Sequence, residues 1–248
     1  MNAIIIAAGS GKRISKKVQE VPKSMIKVNG KPILEHQLSV LNQAGISDVY
    51  VITGPYSDKF NFKNVKYIKD QNYEQHDILG SLMEAKDVIK NQVLILYSDI
   101  LFEPKIIEKL LNSKGDISIA VDMNWEKMYE GRTEHPKSEA ENVKLNNNKK
   151  IIKVKKNIES SNNVGEFLGI IKLSTAGSEI FRKKYEKLAE THTGKFQQAP
   201  SLFKAYLTDF IQDLVDLEIS VEPVIISGKW CEIDTMQDLK NAEKIFLS

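Results

Sequence analysis

The sequence predicts an α/β fold with a mixed, mainly parallel central sheet that is covered by helices on both faces. Short, continuously apolar runs alternate with helix-like spacing over the first half of the chain, as is typical of parallel strands joined by helices. Residues 124–163 are polar instead and indicate a small additional lobe. A chain of 248 residues has ample length for such a core.

The first half shows the expected alternation of strands and helices. Ile33, Leu34, Leu38 and Leu41 form a helical stripe, and Gly45 follows as a stop signal. Ligands of parallel sheets collect beyond the carboxyl ends of the strands, so the loops that follow residues 8, 53, 97 and 121 are expected to surround one site. We expect strands at residues 3–8, 49–53, 65–68, 93–97 and 117–121, and helices at residues 33–43, 78–89 and 103–111.

The second half begins with a hairpin, because Asn146-Asn147-Asn148 is a turn sequence between two short alternating runs. The chain shows no internal repeat and no low-complexity linker, which favours a single domain over residues 1–248 with halves at about 1–122 and 123–248. The expected elements here are strands at 142–145, 151–154, 167–173 and 221–226, and helices at 174–189, 199–217 and 236–246.

Composition excludes several classes of function. The formal charge is +2, from 35 Lys+Arg against 33 Asp+Glu, which argues against a nucleic-acid-binding protein. The single cysteine, Cys231, excludes an internal disulfide and a thiolate metal cage. No apolar run is long enough to cross a membrane, and no signal peptide is evident. We therefore expect a cytoplasmic protein that binds small molecules, and a homodimer is left open.

The opening run is the most specific chemical signal. A strand of small and apolar residues ends in Ala7-Ala8-Gly9-Ser10-Gly11, where the backbone can approach a phosphate chain closely and its N–H groups can bind it. Arg13 adds a charged fork for phosphate oxygens. The Gly-Lys-Ser/Thr ending of a P-loop is missing, and Ile14 stands where a GxGxxG motif has glycine.

These residues resemble a known superfamily. The pattern of a small-residue strand, a Gly-x-Gly-x-Arg loop and a following Pro-Lys is similar to the signature of the sugar-nucleotidyltransferase-like superfamily. The resemblance implies a Rossmann-like three-layer nucleotidyltransferase fold, with one half of the chain for the nucleotide and the other for the acceptor. The segments that carry it are Ala7-Ala8-Gly9-Ser10-Gly11-Lys12-Arg13, Pro22-Lys23-Ser24-Met25 and Lys27-Val28-Asn29-Gly30-Lys31-Pro32-Ile33-Leu34.

The resemblance implies a reaction in which an acceptor phosphate oxygen attacks the α-phosphorus of a nucleoside triphosphate and pyrophosphate leaves. Arg13 would hold the leaving phosphates, and Lys23 would lie near the α-phosphate and the incoming anion. Catalysis of this kind depends on positioning and on neutralising negative charge. The nucleophile is ionised at neutral pH, so the absence of an obvious catalytic histidine fits.

Asp99 and Asp234 are the expected ligands of Mg²⁺. Magnesium prefers carboxylate and phosphate oxygens, and both residues match positions whose aspartates bind the metal in the resembled family. Each aspartate also follows a strand, where it could instead cap a helix. The pairing of the two after separate strands favours the metal site.

The base of the nucleotide is expected to be cytosine. Residues 70–82 resemble the segment that faces the pyrimidine in the cytidylyltransferase branch, where Gly80 would permit close approach and Ser81 would bond the base. An ordinary helix start capped by Asp77 would leave the same pattern. The predicted nucleotide-binding residues are Ala7, Ala8, Gly9, Ser10, Gly11, Gln71, Ile78, Gly80 and Ser81.

The polar middle of the chain is the expected acceptor pocket, since it combines aromatic, basic and acidic groups. Parts of it look like nucleotidyltransferases of phosphonate biosynthesis and, less closely, like phosphocholine cytidylyltransferases. A surface loop, exposed edge-strand lysines or a core tryptophan are the structural alternatives. The predicted acceptor-binding residues are Trp125, Tyr129, Arg132, His135, Lys156, Glu166 and Trp230.

Taken together, the resemblance predicts transfer of CMP from CTP to a small phosphonate, such as 2-aminoethylphosphonate, or to phosphocholine. A sugar-1-phosphate uridylyl- or thymidylyltransferase is the alternative within the same chemistry. A GT-A glycosyltransferase commonly needs Asp-x-Asp, whereas this chain has Ser98-Asp99-Ile100. A non-catalytic nucleotide-binding module is the alternative of another class.

Overall fold

The computed structural model describes residues 1–9 and 21–247 of the chain. Its strands are β1 (Asn2–Ala7), β2 (Lys27–Val28), β3 (Lys31–Pro32), β4 (Asp48–Thr53), β5 (Val65–Lys69), β6 (Val93–Tyr97), β7 (Ile100–Phe102), β8 (Ile117–Asp122), β9 (Glu141–Leu145), β10 (Ile151–Lys156), β11 (Val164–Leu173), β12 (Glu222–Ile225) and β13 (Trp230–Glu232). Its α-helices are α1 (Ile33–Gln43), α2 (Ile78–Met83), α3 (Pro104–Leu111), α4 (Thr175–Thr191), α5 (Leu207–Asp216) and α6 (Met236–Ile245).

The central sheet is mixed and mainly parallel, as predicted. Strands β5, β4, β1 and β6 lie side by side and parallel. The long strand β11 continues the sheet antiparallel to β6, and it pairs with β8 and β9, which therefore run in the direction of β6. The carboxyl ends of β1 and β6 consequently meet at one edge, where parallel sheets place their ligands.

Strand β1 connects the two apolar layers of the molecule. Successive side chains of a strand point to opposite faces of the sheet. Ile4 and Ile6 pack in one cluster with residues of α2, α4 and α5, whereas Ala3 and Ile5 pack in another with residues of α1 and α3. This arrangement confirms the three-layer α/β architecture.

Two predicted helices are shorter in the structure. The helix expected over 78–89 ends at Met83 and is followed by a 3₁₀ turn at Lys86–Val88. The helix expected over 199–217 covers only Leu207–Asp216. Residues 199–206 are irregular because Pro200 lacks a backbone N–H, and because the carbonyls of Phe203 and Ala205 accept bonds from the segment that leads into α2.

The two-stranded sheet formed by β7 and β13 is absent from the sequence prediction. Each strand has three residues, which is too short to show a period. The structure also shows a small hairpin of β2 and β3 immediately before α1. Within residues 1–9 and 21–247, no helix is both long enough and apolar enough to cross a membrane.

Gly169 shapes the sheet next to the carboxyl end of β6. The register of β11 against β8 shifts between Phe167 and Ile171, and Gly169 within this shift has φ +68°. A β-carbon on Gly169 would lie 2.2 Å from Cδ2 of Tyr97, the last residue of β6. The glycine is therefore required both for the backbone conformation and for the space that the Tyr97 ring occupies.

Replacing Gly169 with alanine is expected to lower the free energy of unfolding by about 2–4 kcal/mol, because left-handed backbone strain adds to a collision with Tyr97. Gly194→Ala is the matched control, since Gly194 has φ +80° and nothing within 4 Å of an added β-carbon. It should cost only about 1–2 kcal/mol. Urea unfolding of both variants measures the change. Equal losses of unfolding free energy in the two variants would show that the Tyr97 ring moves aside without an energetic cost.

Candidate active site

The pairing of β7 with β13 brings two distant aspartates together. Glu232 in β13 lies opposite Ile100 in β7, and the backbone N–H of Ile233 donates to the carbonyl of Asp99 at 2.9 Å. Asp99 immediately precedes β7, and Asp234 follows β13 by one residue. The antiparallel pairing therefore places both carboxylates at the carboxyl edge of the central sheet.

Lys23 connects the two carboxylates. Its ammonium donates to Oδ2 of Asp99 at 2.9 Å and to Oδ1 of Asp234. Burial alone would lower the pKa of Lys23, but the negative charges of Asp99, Asp234 and Glu232 outweigh it, so the pKa rises above its usual value. Lys23 is therefore a fixed positive charge at neutral pH.

The turn that carries Asp234 is held by Asp238 in the first turn of α6. One oxygen of the Asp238 carboxylate accepts from the backbone N–H groups of Asp234 and Thr235, at 3.1 and 2.9 Å, and from the Thr235 hydroxyl. The other oxygen accepts from Nε of Arg132 at 2.7 Å. This combination of a capping box and a buried ion pair fixes where Asp234 points.

His135 contacts the oxygen of Asp234 that Lys23 does not contact, and Glu232 lies nearby. Nδ1 of His135 is 2.9 Å from Oδ2 of Asp234, and Nε2 of His135 is 3.8 Å from Oε2 of Glu232. Burial, together with the nearby Asp234 and Asp99, raises the pKa of Glu232 well above its usual range. The site thus gathers three carboxyl groups around a single lysine among the residues that the structure describes.

These groups face a pocket of about 320 Å³, within the range of small-molecule sites. The pocket is also lined by acidic and aromatic side chains. Burial raises the pKa of Glu141 to about 7 and that of Glu166 to about 8. Lys156 contributes a positive charge there, 3.1 Å from Glu139 and 4.7 Å from the centre of the Tyr206 ring.

A hard divalent cation fits the Asp99–Asp234 pair. The two carboxylates already converge on one positively charged atom, Nζ of Lys23. That ammonium stands in for a cation between two oxygen ligands, the ligand type that Mg²⁺ and Mn²⁺ prefer. Substrate phosphates entering the pocket would supply further oxygens.

Ten of the residues predicted for the site line this pocket: Ala7, Gly9, Lys23, Ile78, Asp99, His135, Lys156, Glu166, Trp230 and Asp234. Their position is what the sequence reasoning expected, while their individual roles stay predictions. Within the pocket, His135 contacts Asp234. Ser10, Gly11 and Arg13 lie outside the described residues.

Four residues predicted to bind the nucleotide do not line the pocket. Ala8 is buried, with its carbonyl packed against Gly54, and Gln71 is exposed on the surface. Ser81 donates to the buried carboxylate of Asp70 at 2.7 Å, and Gly80 packs against the Phe203 carbonyl. Direct contact with the base by Gly80 and Ser81 is therefore wrong for this conformation, because both face into the protein.

Three residues predicted to bind the acceptor lie behind the pocket wall. Trp125 is buried and donates to the carbonyl of Val164 at 3.1 Å. The Tyr129 hydroxyl donates to Oε1 of Glu166 at 2.6 Å. Arg132 is bound to Asp238. Direct acceptor contact by these side chains is not what the structure shows, since internal partners hold each of them.

Further residues beyond the predicted site set also line the pocket, among them Tyr97, Asp77, Glu139, Glu141, Phe167, Leu168, Tyr206 and Glu232. Glu232 is two residues before Asp234 in the sequence, so the motif that indicated Asp234 could also have indicated Glu232. No local sequence pattern could have indicated Glu141 and Tyr206, because they reach the pocket only through the pairing of β9 with β11 and the loop before α5.

Comparison with known proteins decides the family. Residues 3–237 match the model of the MobA-like NTP transferase domain. The chain belongs to this family.

The names of several relatives of this MobA-like NTP transferase state an activity. A protein of Campylobacter jejuni called CTP:phosphoglutamine cytidylyltransferase is 29% identical over 252 residues, covering 97% of this chain and 98% of the relative. Two solved structures share the fold. The inositol-1-phosphate CTP transferase of T. maritima has a TM-score of 0.73 at 18% identity, covering 100% and 97% of the two chains. The CTP:phosphocholine cytidylyltransferase of Streptococcus pneumoniae has a TM-score of 0.71 at 19% identity, covering 99% of each.

Asp238→Ala should lower the free energy of unfolding of this MobA-like NTP transferase by about 3–5 kcal/mol, because it removes a cap and leaves the buried Arg132 charge unpaired. Ser174→Ala is the matched control. The Ser174 side chain caps α4 by accepting a hydrogen bond from the Gly177 N–H, and its removal leaves no buried cation without a partner. The substitution should therefore lower the free energy of unfolding by about 1 kcal/mol. Thermal and urea unfolding measure both, and a similar small loss in Asp238→Ala would contradict the bracing role.

Proposed function

We propose that this MobA-like NTP transferase joins the CMP unit of CTP to an anionic oxygen of a small phosphate or phosphonate acceptor and releases pyrophosphate. The observation that carries the proposal is the position of Lys23 between Asp99 and Asp234 at the mouth of a glycine-ended strand. In the reaction the acceptor oxygen forms a bond to the α-phosphorus as the bond from that phosphorus to the bridging oxygen of pyrophosphate breaks.

The residues of the site match what this displacement needs. The nucleophile is already an oxyanion, so no base has to remove a proton. Negative charge develops around the α-phosphorus and on the leaving pyrophosphate, and the fixed charge of Lys23 stabilises it. Asp99 and Asp234 would hold Mg²⁺, which would supply further neutralisation of the phosphate charge.

CTP is proposed as the donor on two grounds. The chain resembles the cytidylyltransferase branch over residues 70–82, and Asp77 and Ile78 from that segment line the pocket. The relatives named above, from C. jejuni, T. maritima and S. pneumoniae, all use CTP according to their names. Contacts to the base would then come from Ile78 and its neighbours rather than from Gly80 or Ser81.

The acceptor is proposed to carry a cationic nitrogen as well as its phosphate or phosphonate. Glu139, Glu141 and Glu166 also line the pocket. Oε2 of Glu166 is buried and has no hydrogen-bond partner within the described part of the chain. The rings of Tyr97 and Tyr206 lie beside these carboxylates, a combination that binds ammonium groups. Phosphocholine and 2-aminoethylphosphonate both fit this description.

A coupled pyrophosphate assay across four nucleoside triphosphates and four acceptors tests the proposal. We expect turnover with CTP and Mg²⁺, and a kcat/KM for phosphocholine or 2-aminoethylphosphonate at least about tenfold above that for inositol-1-phosphate or glucose-1-phosphate. A tenfold ratio corresponds to about 1.4 kcal/mol, which is modest for one buried charge contact. Preference for a sugar phosphate with UTP or dTTP would favour the alternative chemistry. Absence of turnover with every pair would argue for a non-catalytic nucleotide-binding module.

Lys23→Ala should reduce kcat by about 10²-fold or more, because one preorganised charge at the reacting phosphate is lost. The control is Lys183→Ala, since Lys183 is an exposed lysine on α4 that pairs only with Glu179 on the surface among the described residues. It should leave kcat and KM unchanged. Circular dichroism confirms that both variants are folded. Undiminished turnover in the folded Lys23→Ala variant would show that Lys23 takes no part in catalysis.

A further inference from the structure

The imidazole of His135 is held in one orientation. Its side chain is 4% exposed, and Nδ1 lies 2.9 Å from Oδ2 of Asp234. An ionised carboxylate can only accept a hydrogen bond, so Nδ1 is the nitrogen that carries the proton and donates. In the neutral ring this leaves the lone pair on Nε2.

Nε2 of His135 is an unused ligand atom in a polar site. It is buried and has no hydrogen-bond partner within residues 1–9 and 21–247. Buried nitrogen lone pairs without a partner are rare in folded proteins and call for an explanation. His135 also lines the pocket described above, so the site around Nε2 is reachable by a small ligand.

Glu232 supplies a second ligand atom at a suitable distance. Its Oε2 lies 3.8 Å from Nε2 of His135, which is too long for a hydrogen bond. A nitrogen and an oxygen that each lie about 2.1 Å from one ion in tetrahedral arrangement are roughly 3.4 Å apart, and further apart as the angle opens. His135, Glu232 and Asp234 each offer one potential ligand atom, and these three atoms lie within 4.8 Å of one another.

The local charge also favours a cation. Nη2 of Arg132 is 4.0 Å from Glu232, and Nε of Arg132 donates to Asp238 at 2.7 Å. Among the described residues, the carboxyl groups of Asp99, Glu232, Asp234 and Asp238 therefore outnumber the two cations beside them, Lys23 and Arg132.

We propose that Nε2 of His135 and Oε2 of Glu232 bind a divalent transition-metal ion, of the Mn²⁺, Co²⁺ or Zn²⁺ class, beside the Asp99–Asp234 position expected for Mg²⁺. Asp234 orients the imidazole through Nδ1, an arrangement that recurs where histidine binds a metal. The imidazole ligand favours these ions over Mg²⁺. The remaining coordination positions face the pocket and would take water or acceptor oxygens. This site is a property of the folded chain and does not need CTP.

A second histidine–carboxylate cluster, Asp70, His76 and Glu84, provides the natural control. There Nδ1 of His76 lies 3.0 and 3.1 Å from both oxygens of Asp70, and Asp70 also accepts from Ser81 and from the Asn72 N–H. The Asp70 carboxylate is saturated with donors, so no metal is expected there.

The test is pulsed electron paramagnetic resonance of the full chain, with ¹⁵N-labelled histidine and one equivalent of Mn²⁺ in the absence of nucleotide. The expected result is a directly bonded ¹⁵N coupling in the wild type and in His76→Gln, and its loss in His135→Gln. Absence of the coupling in the wild type, or its persistence in His135→Gln, would overturn the proposal.

Glu232→Gln keeps the test decisive if His135→Gln does not fold. This variant keeps the imidazole but weakens one ligand, and its Mn²⁺ affinity by calorimetry should fall by about tenfold or more, whereas His76→Gln should match the wild type. An unchanged affinity in Glu232→Gln would count against the site. These measurements need no turnover, so a negative result here leaves the CMP-transfer proposal standing, and a negative activity assay leaves this one standing.

Discussion

The arrangement of the site depends on the pairing of two three-residue strands. Strand β7 lies in the middle of the chain and β13 far downstream of it, and their antiparallel register places Asp99 beside Asp234. Two carboxylates brought together in a half-buried place repel each other, and the ammonium of Lys23 offsets that repulsion. Without the ion pairs to Lys23 or a metal in its place, the pairing of β7 with β13 would place like charges in contact. The structural role of Lys23 and its proposed chemical role thus use the same charge.

The lining of the pocket carries charged groups of both signs. Lys23 provides positive charge, and the glycine-ended β1 permits close approach of the backbone. Glu139, Glu141 and Glu166 provide acidic groups, of which Oε2 of Glu166 is buried and has no hydrogen-bond partner among the described residues. A molecule that carries both an anion and a cation would match this lining.

The sequence was most informative where local patterns decide the structure. The helix at Ile33–Gln43 and the strand at Val93–Tyr97 have the predicted bounds, since each has a strong apolar pattern and clear end signals. Lys23, Asp99 and Asp234 were found through motifs that lie next to such elements. The failures concern long-range partners. Nothing near Arg132 in sequence shows that Asp238 will bind it, and nothing near His135 shows that Asp234 will. The helix predicted over residues 199–206 is absent because hydrogen bonds from Asp77 and Leu79 to this segment outweigh its helical propensity.

The central claim is that Lys23, Asp99 and Asp234 bind the triphosphate of the donor. The most direct measurement is a crystal structure with CTP, Mg²⁺ and the acceptor that turns over. The account predicts that the α-phosphate lies within hydrogen-bond distance of Lys23, whose ammonium has left the space between the carboxylates to a Mg²⁺ ion. A triphosphate bound elsewhere, or a Lys23 ammonium that still bridges Asp99 and Asp234 with the nucleotide in place, would contradict it.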